Sequence, residues 1–312
     1  DDSGSRSTGR YQGSATLSLD NPLSLNDLFY VGLQGSLGGG DPGARFTRGS
    51  SWHYSLPWGR ARFAIDVSRH RYLQTVAGAA QDYSYRGNTG SQEATVSTLV
   101  HRDATSKTTL HAKVFARQSR NFIDDTEVEV QRRRVGGWQL GVGHRAYVGP
   151  GTLDLNLSYR RGTGAFGSLR APEEGFGEGT SRFALVQANA QWQWPFKLGA
   201  QPWQVNSQWR AQTHRTPLAP QERFAIGGRH TVRGFDGESS LSADSGWLWR
   251  NEIATPLGDS GASAFAGLDH GQVRGPSAQR LVGRRLSGAV LGLRGSAGSV
   301  QGELFAGWPL HK

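Results

Sequence analysis

The chain has 312 residues, with 44 glycines, 12 prolines, no cysteine and no methionine, and only 36% of it is hydrophobic. The lack of cysteine excludes thiolate metal sites, disulfides and cysteine nucleophiles, and no stretch approaches the roughly 20 apolar residues a spanning helix needs. The net charge of +10, from 35 Lys and Arg against 25 Asp and Glu, would in a soluble protein point to nucleic acid or an acidic partner. In a membrane barrel the same arginines line a water-filled lumen or meet lipid headgroups. A chain without Met is expected to be a processed or partial product, lacking a signal peptide or whole upstream domains.

The dominant pattern has period 2, the signature of strands with one apolar and one polar side. The first expected strand, over 8–19, puts Tyr11, Gly13, Ala15, Leu17 and Leu19 on one side. Strands follow over 28–38, 50–56, 60–73 and 82–101, separated by turn-formers such as Asn21-Pro22, Gly38–Gly43 and Pro57-Trp58-Gly59. Over 107–118, Leu110, Ala112, Val114 and Ala116 oppose His111, Lys113, Phe115 and Arg117. After a strand over 128–147, the one over 151–161 alternates Leu153, Leu155, Leu157 and Tyr159 with Asp154, Asn156, Ser158 and Arg160. Over 181–195, Ala184, Val186, Ala188, Ala190, Trp192 and Trp194 alternate with Leu185, Gln187, Asn189, Gln191 and Gln193, and over 201–213 Trp203, Val205, Trp209 and Ala211 oppose Gln204, Asn206, Gln208, Arg210 and Gln212. The last expected strands cover 222–227, 246–256, 262–270, 284–294 and 298–308.

That makes fifteen. Single-chain bacterial barrels carry an even number, so a sixteenth, C-terminal strand is expected to lie outside this sequence. A soluble sandwich also alternates, but two features favour a membrane barrel. The second face is strongly polar in many strands. Trp58, Tyr72, Tyr147, Trp192, Trp194, Trp203 and Trp308 fall at strand ends, where interfacial girdles sit. The expected fold is an all-β antiparallel transmembrane barrel over 1–312.

The motifs of catalysis are missing. The nine His have no metal-ligand spacing. His101-Arg102-Asp103 lacks the nucleotide loop and metal motif of a kinase. Asp124-Asp125 and Glu173-Glu174 lie in loop-like segments and are expected to be solvated. No enzyme activity, metal or cofactor is expected, and the stacked aromatic and basic stripe of a nucleic-acid binder is missing too.

One segment breaks the alternation. In Arg223–Asn251, Gly227-Gly228 follows a short strand and Val232-Arg233-Gly234-Phe235 sits mid-loop. Long loops in compact domains tend to be functional. Val232–Phe235, preceded by Ile226-Gly227-Gly228-Arg229 and followed by Asp236-Gly237-Glu238 and Arg250-Asn251-Glu252, resembles the barrel signature of two-partner-secretion transporters. Those are the outer-membrane pores for filamentous haemagglutinins, haemolysins and contact-dependent inhibition toxins. Tyr54–Gly59, Arg160–Gly164, Gly267–Val273 and Gly288–Gly295 resemble further stretches of that family, so the likeness runs through the whole chain.

The resemblance implies a 16-stranded barrel in the bacterial outer membrane, surrounded by lipid and lipopolysaccharide. In the family, two periplasmic domains and a plug helix precede the barrel. It implies an exoprotein of haemagglutinin, haemolysin or inhibition-toxin type as partner, and no nucleic acid. It also implies that the loop over 228–245 folds into the lumen, with Val232, Arg233, Gly234 and Phe235 as its lock and Arg233 paired to Asp269. An assembly insertase of the same superfamily and a passive porin are the alternatives.

Overall fold

The computed structural model describes residues 2, 4–237, 240–258, 260–298 and 300–311. It divides into two compact units, one of Asp1–Leu99, Leu110–Leu140 and Arg160–Ala184, the other of Val100–Thr109, Gly141–Tyr159 and Leu185–Lys312. The strands in chain order are β1 (Tyr11–Asp20), β2 (Leu28–Gly38), β3 (Phe46–Trp58), β4 (Ala61–Ala77), β5 (Asp82–Arg102), β6 (Ser106–Ile123), β7 (Thr126–Glu127), β8 (Arg133–Val148) and β9 (Gly151–Thr163). After them come β10 (Ala184–Leu198), β11 (Gln201–His214), β12 (Phe224–Ile226), β13 (Leu241–Ala243), β14 (Ser245–Pro256), β15 (Ala262–Arg274), β16 (Arg285–Ala297) and β17 (Val300–His311).

All but two belong to one 15-stranded sheet, in which β7 pairs with β6 alone and the others follow chain order from β1 to β17. The pairs whose register is resolved are antiparallel, as hairpin-linked neighbours must be. The segment expected as a strand over 222–227 does not join that sheet. Its core, β12, pairs with β13 in a separate two-stranded sheet, with Phe224 opposite Ala243 and Ile226 opposite Leu241. Three paired residues cannot span a bilayer; period 2 reveals a strand but not which sheet receives it.

In the first unit, His53 and Asp66 lie 2.7 Å apart, and Lys113 reaches Glu93 at 2.5 Å. Glu93 stands opposite Asp66, so these groups share one face. Phe63, Ile65, Val96, Leu110 and Val114 are exposed on the other, an apolar surface that suits lipid. Phe115 falls on the polar face, where it is 2% exposed and lies under the Arg160 guanidinium, 4.1 Å from its ring centroid. Tyr72 also lies on that face, three pleat repeats from Asp66, and its hydroxyl donates to Asn121. It therefore leaves the expected aromatic girdle, to which Trp58, exposed at the end of β3, still conforms.

Turn segments explain the remaining motifs. Asp103 accepts from the backbone N–H groups of Thr105 and Ser106 at 2.8 and 2.6 Å, so His101-Arg102-Asp103 builds a hairpin turn. Asp125 is solvated as expected, its side chain 99% exposed. Glu173 and Glu174 are not. Glu173 receives Arg133 at 2.5 Å. Glu174 accepts from Thr180, Ser181 and Arg170, and although burial opposes the charge, these donors hold its carboxyl down to about 2.

Candidate functional site: a loop docked by Arg233 on Asp269

In the second unit, paired residues define a continuous polar row. Gln208 stands opposite Arg250, Arg250 opposite Asp269, and Asp269 opposite Gly288. Trp209 and Trp249, one residue away on the other face, pair with each other and are exposed. The sequence around Asp269 is Gly267-Leu268-Asp269-His270-Gly271, so period 2 puts two glycines on the same face as the carboxylate. Gly288 beside them completes a shallow trough with no side chain to fill it. Into this trough comes the segment between β12 and β13.

The docked segment brings an apolar underside. Phe224, Ile226, Val232 and Ala243 cluster with Leu248, Val273, Ala278 and Leu286, and Phe235 packs against the cluster. Val232, Leu248 and Val273 are fully buried. Burying side chains of this size contributes on the order of 1.5–3 kcal/mol each. The loop therefore stays down without its ion pair doing all the holding, and the pair selects where it lies.

Arg233 is 6% exposed and Asp269 3% exposed. Arg233 Nε and Nη2 donate to the two oxygens of Asp269 at 2.7 and 2.9 Å, the forked geometry that suits guanidinium and carboxylate. The Arg233 backbone N–H adds a third bond to Oδ2 at 3.0 Å. Nη1 reaches Glu252 at 2.8 Å and Nη2 reaches the Asn251 carbonyl at 3.3 Å. Glu252 in turn is paired with Arg294, and Arg250 Nε lies 3.9 Å from Asp269.

The sequence expectation that Val232, Arg233, Gly234, Phe235 and Asp269 form one lock therefore meets a structure in which they do come together, each in a distinct part. Val232 anchors, Arg233 binds Asp269, and Phe235 packs at the edge. Gly234 adopts φ 97° and passes beside the Trp308 carbonyl, a backbone state open to glycine at little cost. The family stretch Asp236-Gly237-Glu238 reaches Glu238, which lies outside the described residues.

Sequence reasoning missed Glu252 and Arg294 as participants, and the space-making role of Gly267 and Gly288. It also missed Asp244, which is 2% exposed. Asp244 accepts from Ser277 N–H at 3.0 Å, Ser277 O–H at 2.5 Å and Leu218 N–H at 3.2 Å. It joins the segment before β12, the end of β13 and the turn after β15. Burial works against its charge, but Ser277 and Leu218 hold the carboxyl below the usual carboxylate range. A depressed folded pKa contributes stability above the unfolded value of about 3.9, lost as pH falls through the folded one. Protection of the Val232 and Leu218 amides, taken relative to the intrinsic exchange rate at each pH, is therefore expected to hold from neutral pH into mild acid and to fall only in strong acid. Asp244→Asn should abolish that acid loss of protection; the same loss in the variant would refute the assignment to Asp244.

A sheet with one apolar and one polar side, carrying a loop docked on the polar side by an ion pair, is that of a β-barrel protein of the bacterial outer membrane. Residues 1–295 match the family model for the haemolysin secretion/activation protein ShlB/FhaC/HecB, and the chain belongs to that family. It is 35% identical over its whole length to the outer membrane transporter CdiB-2 of Burkholderia pseudomallei (strain 1026b), covering 54% of that protein. It is 27% identical to the hemolysin transporter protein HpmB of Proteus mirabilis, over 88% of this chain and 49% of that one. The solved CdiB from Escherichia coli superposes on all of this chain with TM-score 0.92 at 26% identity, and the match covers 58% of that chain. The chain thus spans about half the length of the curated relatives it matches.

Proposed function

We propose that the protein to which this chain belongs is an outer-membrane pore that moves a large partner exoprotein from periplasm to cell surface. The exoprotein is of the haemolysin or contact-dependent inhibition type, in line with the names of the relatives. The polar face is the lumen wall, and the loop over 228–245 is the gate, docked there by Val232–Phe235 and Asp269. Lipid and lipopolysaccharide surround the apolar face. The reading involves no catalysis, cofactor or nucleic acid.

The observation that carries it is the forked Arg233–Asp269 pair, buried on the otherwise polar wall. A passive porin needs an open channel, whereas a pore with a docked, ion-paired loop is closed at rest. A wall of Gln, Asn, Ser and Arg offers a passing unfolded chain hydrogen bonds and little apolar surface to adhere to.

Two measurements test this. Cells expressing the full-length protein together with a candidate exoprotein of haemolysin or contact-dependent inhibition type from the same organism should deliver that exoprotein to the surface or medium. Cells lacking the transporter should retain it in the periplasm. Equal delivery without the transporter would sink the reading. In planar bilayers the full-length protein should conduct weakly, and Arg233→Ala should conduct more; a large steady conductance unaffected by the substitution would favour the porin.

A further inference from the structure

In the first unit the lipid-facing side of the sheet changes character along its length. The polar face is fixed by Asp66, Glu93 and Lys113, so Phe63, Ile65 and Val67 of β4 lie on the opposite, apolar side. Farther along β4 that same side carries Arg69 and Arg71, opposite Gly90 and Asn88. On β8, a side chain at Gly137 would meet Phe115 of the polar face. Arg134, three positions away, therefore points to the apolar side.

Arg69 and Arg134, with Gln92 and Gln118, line one cleft of about 220 Å³. Arg69, Arg71 and Arg134 are exposed, and none is joined to a carboxylate among the described residues. The exposed aromatic Phe166 sits one residue from Gly167, whose position abuts the Arg134 guanidinium. An aromatic ring beside a cation is what the boundary between acyl chains and headgroups favours.

The start of β8 beside Arg134 follows the long connection 124–132 and the adjoining end of β9 leads into 164–183, at the same end of the sheet as the short 78–81 turn that follows Arg69 and Arg71. Long connections of outer-membrane barrels face outward. The cations thus stand just above the apolar band, on the outer-leaflet side. We propose that Arg69, Arg71 and Arg134 form a binding site for the phosphate groups of lipopolysaccharide. Guanidinium forks match phosphate oxygens in pairs, and clustered cations at a membrane face select anionic headgroups over neutral ones. Gln92 and Gln118 supply neutral donors for sugar or phosphate oxygens in the same cleft. The proposal rests on the outer-membrane reading above but not on the gate.

The test uses the full-length protein in detergent, titrated with phosphorylated lipopolysaccharide, with enzymatically dephosphorylated lipopolysaccharide, and with inorganic phosphate as competitor. The parent should bind the phosphorylated form at least tenfold more tightly than the dephosphorylated one. The triple variant Arg69→Gln, Arg71→Gln, Arg134→Gln should lose that preference, and the triple Lys variant should keep most of it. Heat-modifiable gel mobility confirms that each variant is folded. Equal affinity of the parent and the folded Gln variant for phosphorylated lipopolysaccharide would overturn the proposal. So would full competition by millimolar inorganic phosphate, which would make the patch a free-phosphate site. Exoprotein secretion by the same variant reports on transport separately, so failure of one idea does not masquerade as failure of the other.

Discussion

Asp269→Ala is expected to release the docked loop, and to do so more completely than Arg233→Ala. The asymmetry follows from counting charges around the lock. Arg233, Arg250 and Arg294 share the two carboxylates Asp269 and Glu252. Removing Asp269 leaves three guanidiniums around Glu252 and strips Arg233 of three hydrogen bonds, one of them to its backbone. An uncompensated buried charge costs about 3–5 kcal/mol. Removing Arg233 leaves a kinder arrangement. Asp269 keeps Arg250 at 3.9 Å and Glu252 keeps Arg294, so the charges still balance.

These 312 residues hold no cysteine, so a single reporter thiol can be placed in them. Val232, fully buried in the docked loop, becomes a reporter as Val232→Cys. Maleimide labels it only when the loop opens, and the rate follows the opening equilibrium. A loss of about 3 kcal/mol corresponds to roughly hundredfold faster labelling in the Asp269→Ala background. Arg233→Ala should give closer to tenfold, because less charge is stranded. Heat-modifiable mobility should be unchanged in both, since every strand pair of the sheet survives. Labelling at the parent rate in Asp269→Ala would show that the apolar cluster alone holds the loop and that the pair is no lock.

Much of this was legible in the sequence, for a definite reason. Alternation reports a face whatever the partner strand is, so strands such as 28–38, 151–161 and 246–256 fall close to β2, β9 and β14. The residue pair was legible only through family resemblance: nothing in the spacing of Arg233 and Asp269, 36 positions apart, tells that they meet. Three things stayed hidden. Which sheet accepts 222–227 depends on tertiary pairing. Tyr72 looks like a girdle residue until register fixes its parity relative to Asp66. Asp244 is silent because its donors, Leu218 and Ser277, lie 26 and 33 residues away. A signal for the trough was present and unread, in the two glycines that flank Asp269 at the same-face spacing.

Gly288→Ala is expected to expel the loop as effectively as Asp269→Ala while leaving every charge in place. Gly288 stands opposite Asp269, and a Cβ there would overlap the Arg233 carbonyl oxygen. The obstructed atom is backbone, so no rotamer change relieves the clash; the loop must move away, and overpacking of this kind costs about 1–3 kcal/mol or more. Gly302 on β17 is the control. Nothing lies within 4 Å of a Cβ built there, so Gly302→Ala should leave the Val232→Cys reporter protected. Gly288→Ala should expose it by ten- to hundredfold and impair secretion by the full-length protein, with the barrel still assembled. The double variant Gly288→Ala, Asp269→Ala should open little further than either single one, because an undocked loop no longer feels the second change. Full additivity of the two effects would mean that Gly288 and Asp269 act on different states, and that the trough and the ion pair are not one device.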